Sequence, residues 1–198
     1  MTATSGATAT FAKDFDTLEV GERFETHGRT IGEVDITSFA TLTGDTHPQH
    51  TDAEWAARSR FGERIAHGLL VLSYAAGLVP FDPDRIVALR KVGEATFKQP
   101  VRIGDTVHVE GEVTRARPLD DEHGLVECRW KVLNQSGKLV LRASVELVWR
   151  RRPETGRTEH AQPERAELEG SEADRTEAEP REAKPGEAEP AEHEPLLI

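Results

Sequence analysis

Residues 66–79 (AHGLLVLSYAAGLV) constrain the fold more than any other stretch of this chain. They are apolar on almost every face of a helix, so the helix that they predict must be buried on all sides. Pro80 ends this helix, because proline lacks an N–H and clashes with a preceding helical turn. The run is too short to span a membrane, which takes about 20 apolar residues. The sequence therefore predicts a central helix with other elements packed around it.

Downstream of this helix, apolar and polar residues alternate with a period of two, which is typical of half-buried strands. The predicted strands lie at residues 88–98, 107–114, 126–132 and 139–149. Turn sequences separate them, for example NQSG at 134–137. Because each strand has one apolar face, the economical packing is an antiparallel sheet curled around the helix. We therefore expect an α+β fold.

Composition divides the chain into three parts. Residues 1–10 are small and polar, and we expect them to be disordered; residues 11–152 form the predicted folded domain. Residues 153–198 are rich in Glu, Ala and Pro and hold fourteen of the 36 acidic residues but only five of the 25 Lys and Arg. A segment of this kind cannot bury enough apolar surface to offset its ordering entropy. We expect a disordered acidic tail, which accounts for most of the net charge of −11.

Several classes of protein are disfavoured by the sequence. It has no basic patch of the kind that marks nucleic-acid binding. Its single cysteine, Cys128, excludes an internal disulfide and a multi-cysteine metal site. Its N-terminus lacks the charged start and apolar stretch of a signal peptide. We expect a cytoplasmic protein that binds neither nucleic acid nor membrane.

Chemistry-bearing side chains are concentrated at residues 43–50 (TGDTHPQH). We predict a preceding helix that has Asp35 as its N-cap and that Gly44 ends. The proline in this stretch forces the residue before it into an extended conformation, so we expect an irregular, locally stiff loop. Such a loop can aim Asp45 and His50 at one point. The pattern therefore predicts proton-transfer chemistry.

Residues 44–50 (GDTHPQH) resemble the hydratase-2 signature G-D-x-N-P-x-H of the MaoC-like dehydratases. The resemblance covers roughly residues 14–150 and includes FGERIAHG at 61–68 and FKQPVRIGDTV at 97–107. It implies a single hot-dog fold, in which an antiparallel sheet wraps around a long buried central helix, and a homodimer. It also implies enoyl or 3-hydroxyacyl thioesters of coenzyme A or an acyl carrier protein as substrates, with no cofactor and no bound metal.

The same resemblance assigns roles to five residues. Asp45 and His50 would be catalytic, jointly holding water and moving protons. The backbone N–H of Gly68 would bind the thioester oxygen as negative charge develops on it. His47 and His67 are candidate substrate-binding residues. The alternatives are that His47 packs within the loop and that His67 caps the central helix.

Two departures from the family pattern leave other functions open. The asparagine of the signature is His47 here, and Ala76 stands where the family often has a serine, eight residues after Gly68. A thioesterase, or an enzyme that adds another nucleophile to an enoyl thioester, is therefore an alternative. A second alternative is a non-catalytic acyl-thioester binding protein. A separate alternative for the loop is that Asp45, His47 and His50 bind a metal ion.

Overall fold

The computed structural model describes residues 4–152, and the expectation of a disordered tail at 153–198 lies outside this range. Within the described residues the chain forms five α-helices and seven strands. The helices are α1 (Ala7–Phe11), α2 (Glu33–Thr43), α3 (Pro48–Thr51), α4 (Ala53–Arg58) and α5 (Gly68–Leu78). The strands are β1 (Thr4–Gly6), β2 (Arg23–Glu25), β3 (Arg29–Thr30), β4 (Ile86–Phe97), β5 (Thr106–Pro118), β6 (His123–Asn134) and β7 (Leu139–Arg150). None of these helices has the length and apolar character needed to cross a membrane.

The seven strands form one sheet in the order β1-β2-β5-β6-β7-β4, with β3 also paired to β5. Every pairing is antiparallel except that of β1 with β2. In β5, β6 and β7 the alternating apolar residues point towards the core, since Val109, Trp130 and Leu147 are fully buried. The four predicted strands are therefore confirmed, with boundaries that differ by a few residues.

Helix α5 packs against one face of this sheet and forms the core with it. Its buried residues are Leu70, Val71, Ala75 and Leu78. An antiparallel sheet around a central helix is the single hot-dog fold that the sequence led us to expect. The prediction that this helix is buried on all sides is wrong for the single chain, because Leu69 is 61% exposed.

Residues 4–10 are part of the fold, contrary to the expectation that residues 1–10 are disordered, and residues 1–3 lie outside the described range. Residues 4–11 form β1 and α1, and Phe11 is fully buried. Its ring stacks on Trp149, with centroids 5.4 Å apart, and meets Phe24 edge-on at 4.9 Å. The indole N–H of Trp149 also donates to the carbonyl oxygen of Lys13 at 2.9 Å. One aromatic side chain therefore anchors a segment whose small polar composition suggested no structure.

Asp35 links α2 to α5 by a hydrogen bond instead of serving as the predicted N-cap of α2. Helix α2 begins at Glu33 with Gly32 as its N-cap, so Asp35 lies in its first turn. One carboxylate oxygen accepts the N–H of Gly32 at 2.7 Å; the other accepts the Tyr74 hydroxyl at 2.5 Å and Arg29 at 3.1 Å. Partial burial alone would raise the pKa of Asp35, but these three hydrogen bonds hold it below its usual value. The contact joins α2 to α5, whose ends carry the candidate site.

Candidate active site

The candidate site begins at the turn that follows α2. Gly44 ends the helix in the left-handed conformation (φ 77°), and its N–H donates to the carbonyl oxygen of Ala40 at 2.9 Å, as predicted. The N–H of Asp45 then donates to Thr43 Oγ1 at 3.3 Å. Asp45 Oδ1 in turn accepts the N–H of His47 at 3.4 Å. This turn leaves the Asp45 side chain exposed at its tip.

His47 caps α3. Its Nδ1 accepts the N–H of Gln49 at 3.1 Å, and Pro48 takes the first helical position, where a missing N–H is tolerated. An asparagine oxygen can accept the same hydrogen bond, so the departure from the family signature preserves the cap. The ring lies edge-on to Trp55, with centroids 5.3 Å apart. These contacts favour loop packing for His47, and the predicted substrate contact is not supported.

His50 lies on α3, so the prediction of an irregular loop is wrong at this residue. The φ of proline already suits a helix, which explains the turn that begins at Pro48. His50 Nδ1 lies 2.7 Å from the carbonyl oxygen of Ile65. Because a carbonyl oxygen only accepts, Nδ1 carries the hydrogen and the neutral ring keeps a lone pair on Nε2. Burial lowers the pKa of His50 below its ordinary 6.5, against the opposing effect of the bond to Ile65.

His67 connects the Asp45 turn to the start of α5. Its ring stacks on that of His50, with centroids 3.8 Å and planes 26° apart. Its Nε2–H donates to the carbonyl oxygen of Asp45 at 2.9 Å. The side chain makes no capping bond to α5, and its Nδ1 is buried without a partner among the described residues. His67 is therefore the N-cap residue of α5 by position, but its side chain does not cap the helix and fixes the backbone of the Asp45 turn instead.

The predicted site residues converge, with one exception. One nitrogen or oxygen atom from each of Asp45, His50 and His67 lies within 4.8 Å of the others. Together with Gly68 they line a cavity of about 380 Å³, whereas His47 lies outside this lining. The other lining residues are Arg60, Phe61, Ile65, Ala66, Leu69, Val71, Phe97, Lys98, Gln99, Pro100, Val101 and Val140.

Gly68 places a backbone donor beside these side chains. It is the first residue of α5, so its N–H has no partner within the helix. A helix N-terminus also favours negative charge through its dipole. A Cβ at this position would lie 2.8 Å from the ring of Phe97, so glycine allows the end of β4 and the start of α5 to approach closely. The cavity therefore combines a carboxylate, an imidazole and an amide donor.

This arrangement of site residues lies within a region that matches a known protein family. Residues 15–134 match the sequence model of the MaoC like domain. The match covers more than half of the chain and includes Asp45, His50, His67 and Gly68. The chain belongs to the MaoC-like domain family.

Several relatives of this MaoC-like chain have named activities or structures. It is 39% identical over 112 residues to the 3-hydroxybutyryl-CoA dehydratase of Methylorubrum extorquens, a match covering 52% of this chain and 66% of that protein. It is 31% identical over 124 residues to the (R)-specific enoyl-CoA hydratase of Aeromonas caviae, covering 63% and 90%. The MaoC-like dehydratase structure from Rhodospirillum rubrum matches with a TM-score of 0.65 at 29% identity, covering 72% and 99%. The chain spans 30% of the MaoC protein of Klebsiella aerogenes, to which it is 40% identical.

Three side chains of this MaoC-like site are also potential metal ligands. They are Asp45, His50 and His67, which differs from the set of Asp45, His47 and His50 considered from the sequence. A histidine lone pair lies in the plane of its ring. Two nearly parallel rings 3.8 Å apart do not direct their nitrogens at one ion at the ~2.0–2.1 Å that zinc requires. The stacking therefore favours proton transfer over metal binding.

The apolar wall of the cavity includes aliphatic side chains from three parts of the fold. Its aliphatic residues include Val71 on α5, Val101 after β4 and Val140 on β7. The strand residues Trp130 and Trp149 are buried in the core instead and do not line the cavity. These two rings belong to the core that the sheet forms with α5.

Among the described residues that line this cavity, none carries a hydroxyl or a thiol. The Ser73 hydroxyl donates to the carbonyl oxygen of Leu69 at 2.8 Å, and the Tyr74 hydroxyl is bound to Asp35. Cys128 is fully buried in the core, and burial raises the pKa of its thiol to about 12. The described lining of this cavity therefore offers a carboxylate and imidazoles for acid–base chemistry, and no hydroxyl or thiol nucleophile.

We expect activity to fall on the acidic side of a pH profile as His50 becomes protonated. Because its folded-state pKa lies below 6.5, His50 is neutral at pH 7, and the base is lost only as the pH falls through that lowered value. NMR titration of the ring measures this pKa directly, and His50→Asn identifies the resonance by its disappearance. A pKa at or above 6.5 would contradict the prediction.

Proposed function

We propose that this MaoC-like chain is an acyl-thioester hydratase or dehydratase. It would add water to a 2-enoyl thioester, or remove it from a 3-hydroxyacyl thioester, carried on coenzyme A or an acyl carrier protein. The observation that carries the proposal is the convergence of Asp45, His50 and Gly68 on one cavity. The named activities of the relatives from Methylorubrum extorquens and Aeromonas caviae support it.

The proposed chemistry needs one group to take a proton from water and one to deliver a proton to carbon 2. The Nε2 lone pair of His50 and the carboxylate of Asp45 would hold the water between them. As the water oxygen bonds to carbon 3, its proton passes to this pair, and the π electrons move towards the thioester oxygen. Return of a proton to carbon 2 completes the addition. No electrons are gained or lost overall, so the proposed reaction needs no redox cofactor.

The enolate-like intermediate carries its charge on the thioester oxygen. The N–H of Gly68 would donate to this oxygen from the N-terminus of α5, where the helix dipole also favours negative charge. The same steps in reverse remove water from a 3-hydroxyacyl thioester. His67 would act as a positioning residue, because its Nε2–H holds the Asp45 carbonyl and its ring stacks on His50.

Incubation of the purified protein with crotonyl-CoA tests this proposal. Hydration consumes the enoyl absorbance and releases no thiol. Release of free thiol would instead establish a thioesterase. Absence of turnover on enoyl and 3-hydroxyacyl thioesters, with tight binding retained, would establish an acyl-thioester binding protein and contradict the proposal.

We also propose that the chain functions as a homodimer in the cytoplasm. Strand β4 pairs with β7 on one side only, among the described residues, so its other edge is open along twelve residues. Apolar side chains on β4 and α5 are exposed next to this edge: Val87, Leu89, Val92, Phe97 and Leu69. A long, apolar edge strand presents unpaired N–H and C=O groups with which another chain can pair. The buried, unpaired Cys128 suits a reducing compartment.

Light scattering should give twice the chain mass of 21.9 kDa. Val92→Lys places a charge on the open edge of β4 and should yield a monomer, because the pairing surface then carries a desolvated cation. Val34→Lys is the matched control, since Val34 is 74% exposed on α2, away from that edge. A monomeric parent protein, or equal effects of both substitutions, would contradict the proposed interface.

A further inference from the structure

Arg29, Asp35 and Tyr74 form a hydrogen-bonded group, the Asp35 cluster, that joins β3, α2 and α5. The Tyr74 hydroxyl donates to one carboxylate oxygen of Asp35 at 2.5 Å. The Arg29 guanidinium donates to the same carboxylate oxygen at 3.1 Å and to the Tyr74 oxygen at 3.0 Å. Its central carbon lies 3.9 Å from the centroid of the Tyr74 ring. None of the three residues belongs to the cavity lining, so the cluster would not contact a substrate bound there.

Helix α2 buries little apolar surface of its own. Among its eleven residues only Ile36 and Ala40 are buried. An ion pair joins Glu33 to Arg64, but the Glu33 side chain is 59% exposed, and exposed pairs contribute little stability because solvent screens their charges. Hydrogen bonds that cross from α2 to its neighbours therefore matter more for its position than they would for a well-buried helix.

Both helices that the cluster joins carry parts of the candidate site at their ends. Asp45 follows the C-terminus of α2, and Gly68 begins α5. Tyr74 lies six residues after Gly68 on the same helix, which corresponds to about 9 Å along its axis. At the site itself, the two helices are linked by the hydrogen bond from His67 to the Asp45 carbonyl. Because helices are stiff over such distances, a shift at the Asp35 cluster would also displace the site residues.

We propose that the Asp35 cluster positions the candidate active site, by holding Asp45 and Gly68 at the separation that proton transfer and charge stabilisation need. The inference rests on the proposed function, which assigns those two roles. Asp35 is the centre of the link, because one of its carboxylate oxygens fixes the start of α2 through the N–H of Gly32 and the other binds α5 through Tyr74. Hydrogen bonds to a charged carboxylate are stronger than neutral ones, which suits a contact that must hold two helices in place.

Tyr74→Phe deletes the hydroxyl of the cluster and keeps the aromatic ring. With crotonyl-CoA, kcat should fall by roughly 10–100-fold, because a misplacement of about 1 Å far from the chemistry can cost about 10²-fold in rate. KM should stay close to that of the parent, since the cluster lies outside the cavity lining. A rise in KM with unchanged kcat would overturn the inference, as would no change in either constant.

Thr10→Val is the matched control. Thr10 also donates a hydroxyl to a carboxylate, that of Glu22 at 2.9 Å, but it lies on α1 and outside the cavity lining. Both substitutions delete one hydroxyl–carboxylate bond, so a general loss of stability should appear in the Tm of both variants. The kcat should fall only in Tyr74→Phe. An equal fall in Thr10→Val would overturn the inference, because it would reduce the effect to weakened folding.

Asp35→Asn tests whether the cluster acts as a unit. Asp35 accepts hydrogen bonds on both carboxylate oxygens, whereas an asparagine has one oxygen and one amide group. The substitution therefore turns a donor towards either the Gly32 N–H or the Arg29 guanidinium. Its kcat should fall as in Tyr74→Phe, and the double variant should fall no further than the weaker single variant, because residues in one network are not additive. Losses that multiply in the double variant would overturn the inference.

Tyr74 is the single tyrosine of the chain, so its absorbance reports on the cluster without a label. Burial, together with the hydrogen bond to Asp35, raises the pKa of Tyr74 above its ordinary value of 10.0. Ultraviolet titration of the folded parent should show the phenol ionising above pH 10, and Asp35→Asn should lower this midpoint. A midpoint at or below 10.0 in the parent would overturn the inference, because the bond on which it depends would be absent in solution.

Failure of the proposed function leaves this inference testable. If the parent protein turns over no thioester, NMR of the His67 ring reports on the other link between the two helices, because His67 donates to the Asp45 carbonyl. Its resonance is assigned through its absence in His67→Asn. Tyr74→Phe should shift this resonance and Thr10→Val should not, which would support the positioning role in a protein without hydratase activity. No shift in Tyr74→Phe, or equal shifts in both variants, overturns it.

Discussion

Replacing Asp45 by asparagine should lower kcat for crotonyl-CoA hydration by about 10³-fold, within the ~10²–10⁴ range of a general acid–base group. Asparagine keeps the shape of the side chain and an oxygen that can accept the N–H of His47. It cannot take a proton from water. The backbone carbonyl of residue 45 still accepts from His67, so the turn should keep its conformation. Initial rates under saturating substrate measure the effect.

Asp52→Asn is the control for this substitution. Asp52 caps α4 by accepting the N–H of Trp55 at 2.9 Å, lies outside the cavity lining, and is replaced well by asparagine at an N-cap. The kcat of the Asp52→Asn variant should equal that of the parent protein. Both variants should unfold within about 0.5 kcal/mol of the parent, since each substitutes an exposed side chain. An Asp45→Asn enzyme that retains more than about a tenth of the parent rate would contradict general acid–base catalysis by this residue.

Gly68→Pro should lower kcat by about 10²–10³-fold relative to Gly68→Ala, because it removes the N–H proposed to bind the thioester oxygen. Proline is well tolerated at the first position of a helix, where the N–H has no intrahelical partner. The residue before it must be extended, and His67 already is, with ψ 137°. The substitution therefore deletes one donor while preserving α5. Thermal unfolding checks that the helix and the fold remain intact.

Gly68→Ala is the comparison that makes this result interpretable. Alanine and proline both bring a Cβ to a position 2.8 Å from the Phe97 ring, so both displace this ring. Any loss of activity that comes from displacing Phe97 is therefore common to the two variants. Only proline also removes the N–H. If the two variants have the same kcat, the amide of residue 68 plays no part in charge stabilisation.

The sequence predicted those parts of the molecule that depend on local pattern. The alternation along β5, β6 and β7 marks one buried face per strand, and the apolar run marks α5. Asp45 and His50 stand five residues apart, so a turn and a short helix suffice to bring them together. Gly68 was assigned to the same site only by the family resemblance, because no local sequence pattern predicts that the start of α5 lies beside this turn.

The errors arose where a contact joins distant residues. Phe11 is buried by Trp149, which lies near the other end of the described chain, so its local sequence carries no sign of order. The His67 ring stacks on His50 and reaches the Asp45 carbonyl, and nothing in the local sequence around His67 predicts these two contacts. The contact of His47 is local by comparison, since its Nδ1 accepts the N–H of Gln49 as the capping oxygen of an asparagine would, and its predicted substrate contact stays a prediction.

The packing of Phe11 against Trp149 shows that the part of the chain that folds together is longer than the part that matches the family. The aligned stretch, residues 15–134, omits Phe11 at one end and all of β7 at the other. Because β7 pairs with both β6 and β4, a fragment trimmed to that stretch would detach β4 from the sheet and uncover the aromatic cluster. Recombinant fragments for assays should therefore retain the chain from α1 through β7.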